Sequence, residues 1–140
     1  MDRFIEWVDP TPLTPRRSAV TRVAFQLTVR PEMIEAYIAR HSPVWPELLA
    51  EIAAAGRRNY SIFLGEGGRL FGYYETDDDD AARQYLANSE VAARWEASMA
   101  EFFVGLDGRA DQAAAPLTEV FNLQDQLTAA AGTDNESSAS

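Results

Sequence analysis

His41 is the single histidine of this chain. It is therefore the one side chain whose ordinary pKa, roughly 6.5, lets it both give and take a proton near neutrality. Tyr37 stands four residues earlier, which on a helix puts phenol and imidazole on one face and aims them into a common space. Arg40, Trp45 and Glu47 lie within a few positions, around Pro43 and Pro46. The plainer reading of a lone histidine is an ordinary core or surface residue, and spacing alone does not separate the two. The run Asp77-Asp78-Asp79-Asp80 invites a hard-cation site, but adjacent residues at a loop-to-helix junction point in different directions, so it is expected to cap a helix and face water. Gly65 to Gly68 lacks a following helix to complete an anion site and reads as a hairpin turn. Trp95 and Met99 fit either a packed core or a platform for a sugar.

The rest of the inventory narrows the chemistry. The 140 residues contain no Cys, and all 12 basic residues are Arg. Disulfides, thiolate nucleophiles, lysine Schiff bases and P-loop lysines are thereby excluded, and one His rules out any metal site needing two imidazoles from one chain. Twenty-two acidic residues give a net charge of −10, which repels phosphate backbones, so nucleic acid is not an expected partner. No apolar run is long enough to span a bilayer. Asp2, Arg3 and Glu6 interrupt the first apolar residues, unlike a secretory signal, and a cytoplasmic protein without membrane contact is expected.

These side chains must be positioned by the elements between the two ends. Residues 1–20, with Pro10, Pro12 and Pro15, read as an N-terminal arm, and 124–140 as a flexible tail that begins with at most a short helical turn. Between them, 21–123 form one domain. Thr21 to Val29 alternates as a strand, and a helix runs from Pro31 to His41, where Pro43 ends it. A second helix extends from about Trp45-Pro46 to Gly56. Strands follow at Tyr60–Leu64 and Leu70–Glu75, then a helical region from about Asp80 to Gly105 with a break near Asn88-Ser89, and a last strand at Leu117–Leu123. The order β, broken α, β, β, α, β is the ferredoxin-like α+β arrangement. Both faces of the hairpin strands carry large apolar groups, so a second copy of the sheet is expected to cover the face without helices, as a homodimer with a barrel between subunits.

Taken together, the string Tyr37-x-x-x-His41-x-x-x-Trp45-Pro46-Glu47, the pair Asn59-Tyr60, the run Ala93-Arg94-Trp95 and the segment Leu117 to Phe121 resemble the L-rhamnose mutarotase family. The resemblance covers about 21–123 and implies a small dimeric enzyme, an isomerase that interconverts the α and β pyranose anomers of L-rhamnose with no cofactor or metal. His41 matches the family's general acid/base histidine, and Tyr37 and Tyr60 match its substrate-binding tyrosines. Trp95 matches the first of two adjacent tryptophans that line the family's sugar site; the second is Glu96 here, which replaces a stacking surface by a hydrogen-bonding carboxyl. Ring opening needs a base at the anomeric hydroxyl and an acid at the ring oxygen. His41 suits one role, while Tyr37, Tyr60, Glu47 or water remain open for the other. Three alternatives compete: a sugar- or metabolite-binding barrel without catalysis, a mutarotase for a related 6-deoxy hexose, and an oxygen-using or haem-binding barrel. The last accounts less well for the Trp-Pro-Glu context of His41.

Overall fold

The computed structural model describes residues 20–139, so the expected N-terminal arm, apart from Val20, lies outside the described residues. Its centre is a four-stranded sheet ordered β2-β3-β1-β4, formed by β1 (Thr21–Thr28), β2 (Arg58–Leu64), β3 (Arg69–Thr76) and β4 (Ala115–Leu117). All three pairings are antiparallel. Helices α1 (Ile34–Arg40), α2 (Pro46–Ala55), α3 (Asp79–Ala87) and α4 (Glu90–Met99) complete the ferredoxin-like α+β fold, with a short α5 (Ala110–Ala113) and a terminal α6 (Leu123–Ala139). Among the described residues, no helix is long and apolar enough to cross a membrane.

Strand alternation builds the core. Phe25, Leu27 and Val29 of β1 and its extension are buried, as are Leu70 and Tyr74 of β3, and they pack with Leu48, Leu86, Trp95, Met99 and Phe102. A chain of alternating apolar residues along two neighbouring strands yields one continuous apolar face, which the helices cover. Gly72 makes room for it, because a Cβ there would lie 2.1 Å from the end of the Phe25 ring. Gly68 serves the hairpin differently. Its φ of 85° is left-handed, and a Cβ would meet the Val29 carbonyl oxygen at 2.3 Å, so the close approach that lets Val29 N–H donate to Gly68 O at 2.8 Å requires glycine.

The starts of α3 and α4 follow side-chain capping. Asp78 accepts from Ala81 N–H at 3.1 Å and starts α3, and Ser89 accepts from Ala92 N–H at 3.1 Å and starts α4, which accounts for the break anticipated at Asn88-Ser89. The acidic run is dispersed by these duties: Asp77 meets Arg58 at 2.8 Å, while Asp79 accepts from Tyr74 and Arg83.

Three elements depart from the sequence expectation. The first helix opens as a 3-10 turn over Pro31–Met33 before α1 begins. The last strand is Ala115–Leu117, not Leu117–Leu123; beyond it Val120 is 90% exposed, and Arg22 instead grips Glu119 and Asp125 at 2.8 and 2.6 Å. An edge segment needs only a few ladder bonds, and the Ala24–Leu117 to Gln26–Ala115 register is short. Finally α6 is longer than the single turn expected, because Asn122 caps its start by accepting from Asp125 N–H and the following alanines favour helix.

Candidate active site

The helix-covered side of the sheet holds a cavity of about 500 Å³. Tyr37, His41, Tyr60, Trp95 and Glu96, the five site residues expected from sequence, all line it. They come from four separate places in the chain: Tyr37 within α1, His41 at its end, Tyr60 in β2, and Trp95 and Glu96 in α4.

His41 is fixed by its own helix. The chain leaves helical geometry at this residue, and Nδ1 lies 2.8 Å from the Tyr37 carbonyl oxygen. A carbonyl only accepts, so Nδ1 carries the hydrogen and donates it, and the neutral ring keeps its lone pair on Nε2. Burial, with a smaller contribution from the Arg40 charge, lowers the imidazole pKa below its ordinary value, although the bond to the Tyr37 carbonyl opposes this. At neutral pH the ring is therefore an uncharged base. Tyr37 lies over it with ring centroids 4.2 Å apart, and Trp95 meets it edge-on at 5.5 Å.

Trp95 is both core and cavity wall: only 6% is exposed, yet it lines the space. Trp45 packs against it at 5.1 Å, and the Arg40 guanidinium sits 4.7 Å from its ring centre while donating to Ser98 Oγ at 2.8 Å. Trp45 reaches that place because Pro46 opens α2 directly after it, with Leu48 and Leu49 N–H bonding back to the Trp45 carbonyl. Glu47 is exposed and is not part of the cavity lining.

Tyr60 owes its position to a bulge. Arg58 pairs with Glu75 and Ser61 with Tyr73, so Asn59 and Tyr60 together oppose Tyr74 alone. The extra residue turns Tyr60 to the helix side, where it packs on Tyr74 and Phe25 at 5.3 and 6.2 Å. Asn59 adopts a φ of 50° to make the bulge, a left-handed conformation that asparagine tolerates better than most residues, and its side chain donates to Glu75. Burial pushes the Tyr60 phenol up to about 12, against the pull of Arg57, and raises Tyr37 as well, so both hydroxyls stay protonated across the neutral range.

Glu96 is a carboxyl whose titration is moved into the neutral range. Burial, and then the nearby Asp111 carboxylate, raise its pKa to about 7, while the backbone N–H groups of Asp111 and Ala110 and the Arg109 charge pull the other way. The Asp111 N–H donates to Glu96 Oε1 at 3.4 Å. The segment carrying Asp111 is pinned beside α4 by three bonds to α3: Arg109 to the Leu86 carbonyl, Arg83 to the Gln112 carbonyl, and Gln112 to the Arg83 carbonyl, at 3.0–3.1 Å.

Two further wall residues escaped the sequence reading. Arg57 is buried with its guanidinium 4.3 Å from the Tyr74 ring centre, and its Nε has no hydrogen-bond partner among the described residues. Its place directly after the left-handed Gly56, which ends α2, was the available clue. Asp111 lay in a stretch that reads as a Gly/Asp/Ala loop, and no local pattern links it to Glu96.

Comparison with known proteins extends these observations. The sequence model of the L-rhamnose mutarotase family matches residues 22–123. An L-rhamnose mutarotase from Bacillus subtilis is 39% identical over 103 residues, covering 73% of this chain and 97% of the relative. One from Sinorhizobium fredii is 39% identical over 106 residues, with the same coverage. The crystal structure of an L-rhamnose mutarotase from Formosa agariphila superposes with a TM-score of 0.60 at 31% identity, covering 73% of this chain and 97% of that one. The chain belongs to the L-rhamnose mutarotase family.

Proposed function

We propose that this protein is an isomerase that interconverts the α and β anomers of L-rhamnopyranose by opening and reclosing the ring. The observation that carries the reading is the cavity itself, lined together by a neutral histidine, two tyrosines and a tryptophan in a member of this family. An apolar wall with a few convergent polar groups is suited to a sugar, whose ring offers both apolar faces and hydroxyls.

In the reaction, His41 removes the proton of the anomeric hydroxyl as the C1–O5 bond breaks and O5 takes a proton from an acid. Rotation about C1–C2 presents the other face of the aldehyde, and reclosure reverses each transfer. Trp95 holds a face of the ring, while Tyr37 and Tyr60 bond to its hydroxyls. The same reaction on a related hexose is a second reading, favoured by Glu96 at the position where the family's sugar site carries an indole. We also propose that the sheet face away from the helices docks a second copy of this chain, supported by the exposed Phe63 and Phe71, paired across β2 and β3, and by Leu117.

Saturation-transfer NMR on the purified protein with L-rhamnose and a panel of hexoses tests the activity. Exchange is expected with L-rhamnose or a close relative, and His41→Ala should lower it by about 100-fold or more, the usual range for losing a general acid/base, while the protein stays folded. An unchanged rate in the variant would remove His41 from the mechanism.

A further inference from the structure

We propose that Glu96 is the second proton-transfer group of this site, the acid that protonates the ring oxygen while His41 acts as the base. The inference rests on the mutarotase reading and deepens it. Opening a pyranose needs two groups in opposite protonation states, and sequence left Tyr37, Tyr60, Glu47 and water as partners for His41.

The structure reduces that set. Glu47 is exposed and is not part of the cavity lining. Tyr37 and Tyr60 are held protonated by burial, which makes them hydrogen-bond donors to sugar hydroxyls and poor proton-transfer partners at neutral pH. Glu96 lines the same cavity as His41 from a different wall, since its side chain diverges from that of Trp95 on α4 and turns toward α5. Among the described residues no basic side chain forms an ion pair with it; Arg109, the basic group nearest in charge effect, is engaged by Asp111 through two bonds of 2.9 and 2.6 Å. The charged and titratable groups around Glu96 are Asp111 and Arg109 from the α5 segment, Tyr37 from α1 and Tyr60 from β2, and the cavity wall also carries His41, Arg57, Arg58 and the uncharged Asn59. A carboxyl buried against another carboxylate without a counter-cation keeps its proton toward neutrality, which is the condition for an acid that must give and recover one in every cycle.

The proton balance closes. His41 Nε2 takes the O1 proton, the Glu96 carboxyl gives its proton to O5, C1–O5 breaks and C1=O forms. After rotation, the Glu96 carboxylate takes the proton from O5 as O5 attacks C1, and the His41 imidazolium returns its proton to O1. Enzyme and sugar regain their starting protonation, with only the configuration at C1 changed.

The experiment is the rate of anomer exchange from pH 5 to 9, corrected for the spontaneous reaction, in the wild type and in Glu96→Gln. Glutamine keeps an oxygen to accept the Asp111 N–H but cannot transfer a proton. The wild-type kcat should fall above about pH 7, and the variant should lose about 100-fold at pH 6, keep its KM within about two-fold and show no fall of kcat near pH 7. A variant that retains both the rate and that fall overturns the proposal and leaves Glu96 as a support for the α5 segment. Should the variant not fold, the wild type alone decides, because a kcat that stays level from pH 6 to 8.5 also overturns it. Wild-type protein that exchanges no sugar of the panel overturns the mutarotase reading itself, an outcome visible before any variant is made.

Discussion

At the scale of residues, His41 and Glu96 carry opposite perturbations from the same cause. Burial disfavours charge, so the imidazole is pushed toward neutrality and the carboxyl toward its protonated form. Their consequences for stability therefore run in opposite directions with pH. His41 binds its proton less readily when folded, so its contribution is present above pH 6.5 and is lost as pH falls below that value and the unfolded chain takes up the proton first. Glu96 binds its proton more readily when folded, so protein stability falls as pH rises from about 4.5 to about 7, by on the order of 3 kcal/mol in total for a shift of that size. Replacing Glu96 by Gln should remove this loss. Urea unfolding is expected to show the variant more stable than wild type at pH 8 and close to it at pH 4; equal stability at both would mean that the carboxylate is not penalised by burial.

At the scale of elements, the cavity depends on two local devices in the sheet. The bulge at Asn59-Tyr60 supplies a tyrosine to the helix side that strict alternation from Arg58 would have sent to the other face. The missing side chain at Gly72 admits the Phe25 ring, which forms part of the cavity floor beneath Tyr60. Gly72→Ala places a methyl inside that ring and is expected to cost about 1–3 kcal/mol, the range for overpacked cores, read as a lower urea midpoint with an unchanged slope. No change in midpoint would show that Phe25 can move aside without loss. On the helical side, Glu51 of α2 accepts from Ser89 at the start of α4 and from Tyr85 of α3, fastening the three helices whose inner faces hold Leu48, Leu86 and Trp95.

At the scale of the whole molecule, the two faces of the sheet have different fates. The helix side is closed over the core, while the other side presents Phe63, 63% exposed, beside Phe71, with Leu117 on the opposite edge strand. Apolar patches of this kind on a sheet mark interaction surfaces. If a second copy covers this face, Phe63→Asp should convert a dimer to a monomer in light scattering at micromolar concentration while leaving the helix-side cavity intact. A wild type that is monomeric under the same conditions would place the interface elsewhere or remove it.

The sequence by itself determined the order of elements, the helix break at Ser89 and which histidine the cavity holds, because alternation, capping and residue scarcity are local properties of the chain. It also held the family, through the Tyr37 to Glu47 string and the Asn59-Tyr60 pair, and the family model and relatives match the same span. Local pattern misplaced the last strand, since Val120 and Phe121 look like strand residues and only pairing with β1 shows that the ladder ends at Leu117. It could not reveal Arg57 on the cavity wall, nor the bulge that aims Tyr60. Above all it could not assign Glu96 its chemistry. In the chain Glu96 is a carboxyl among alanines and an indole; what moves its titration to about 7 is the loss of water that only packing imposes and the approach of Asp111 from 15 residues away, in a segment bonded to α3 through Arg83, Arg109 and Gln112.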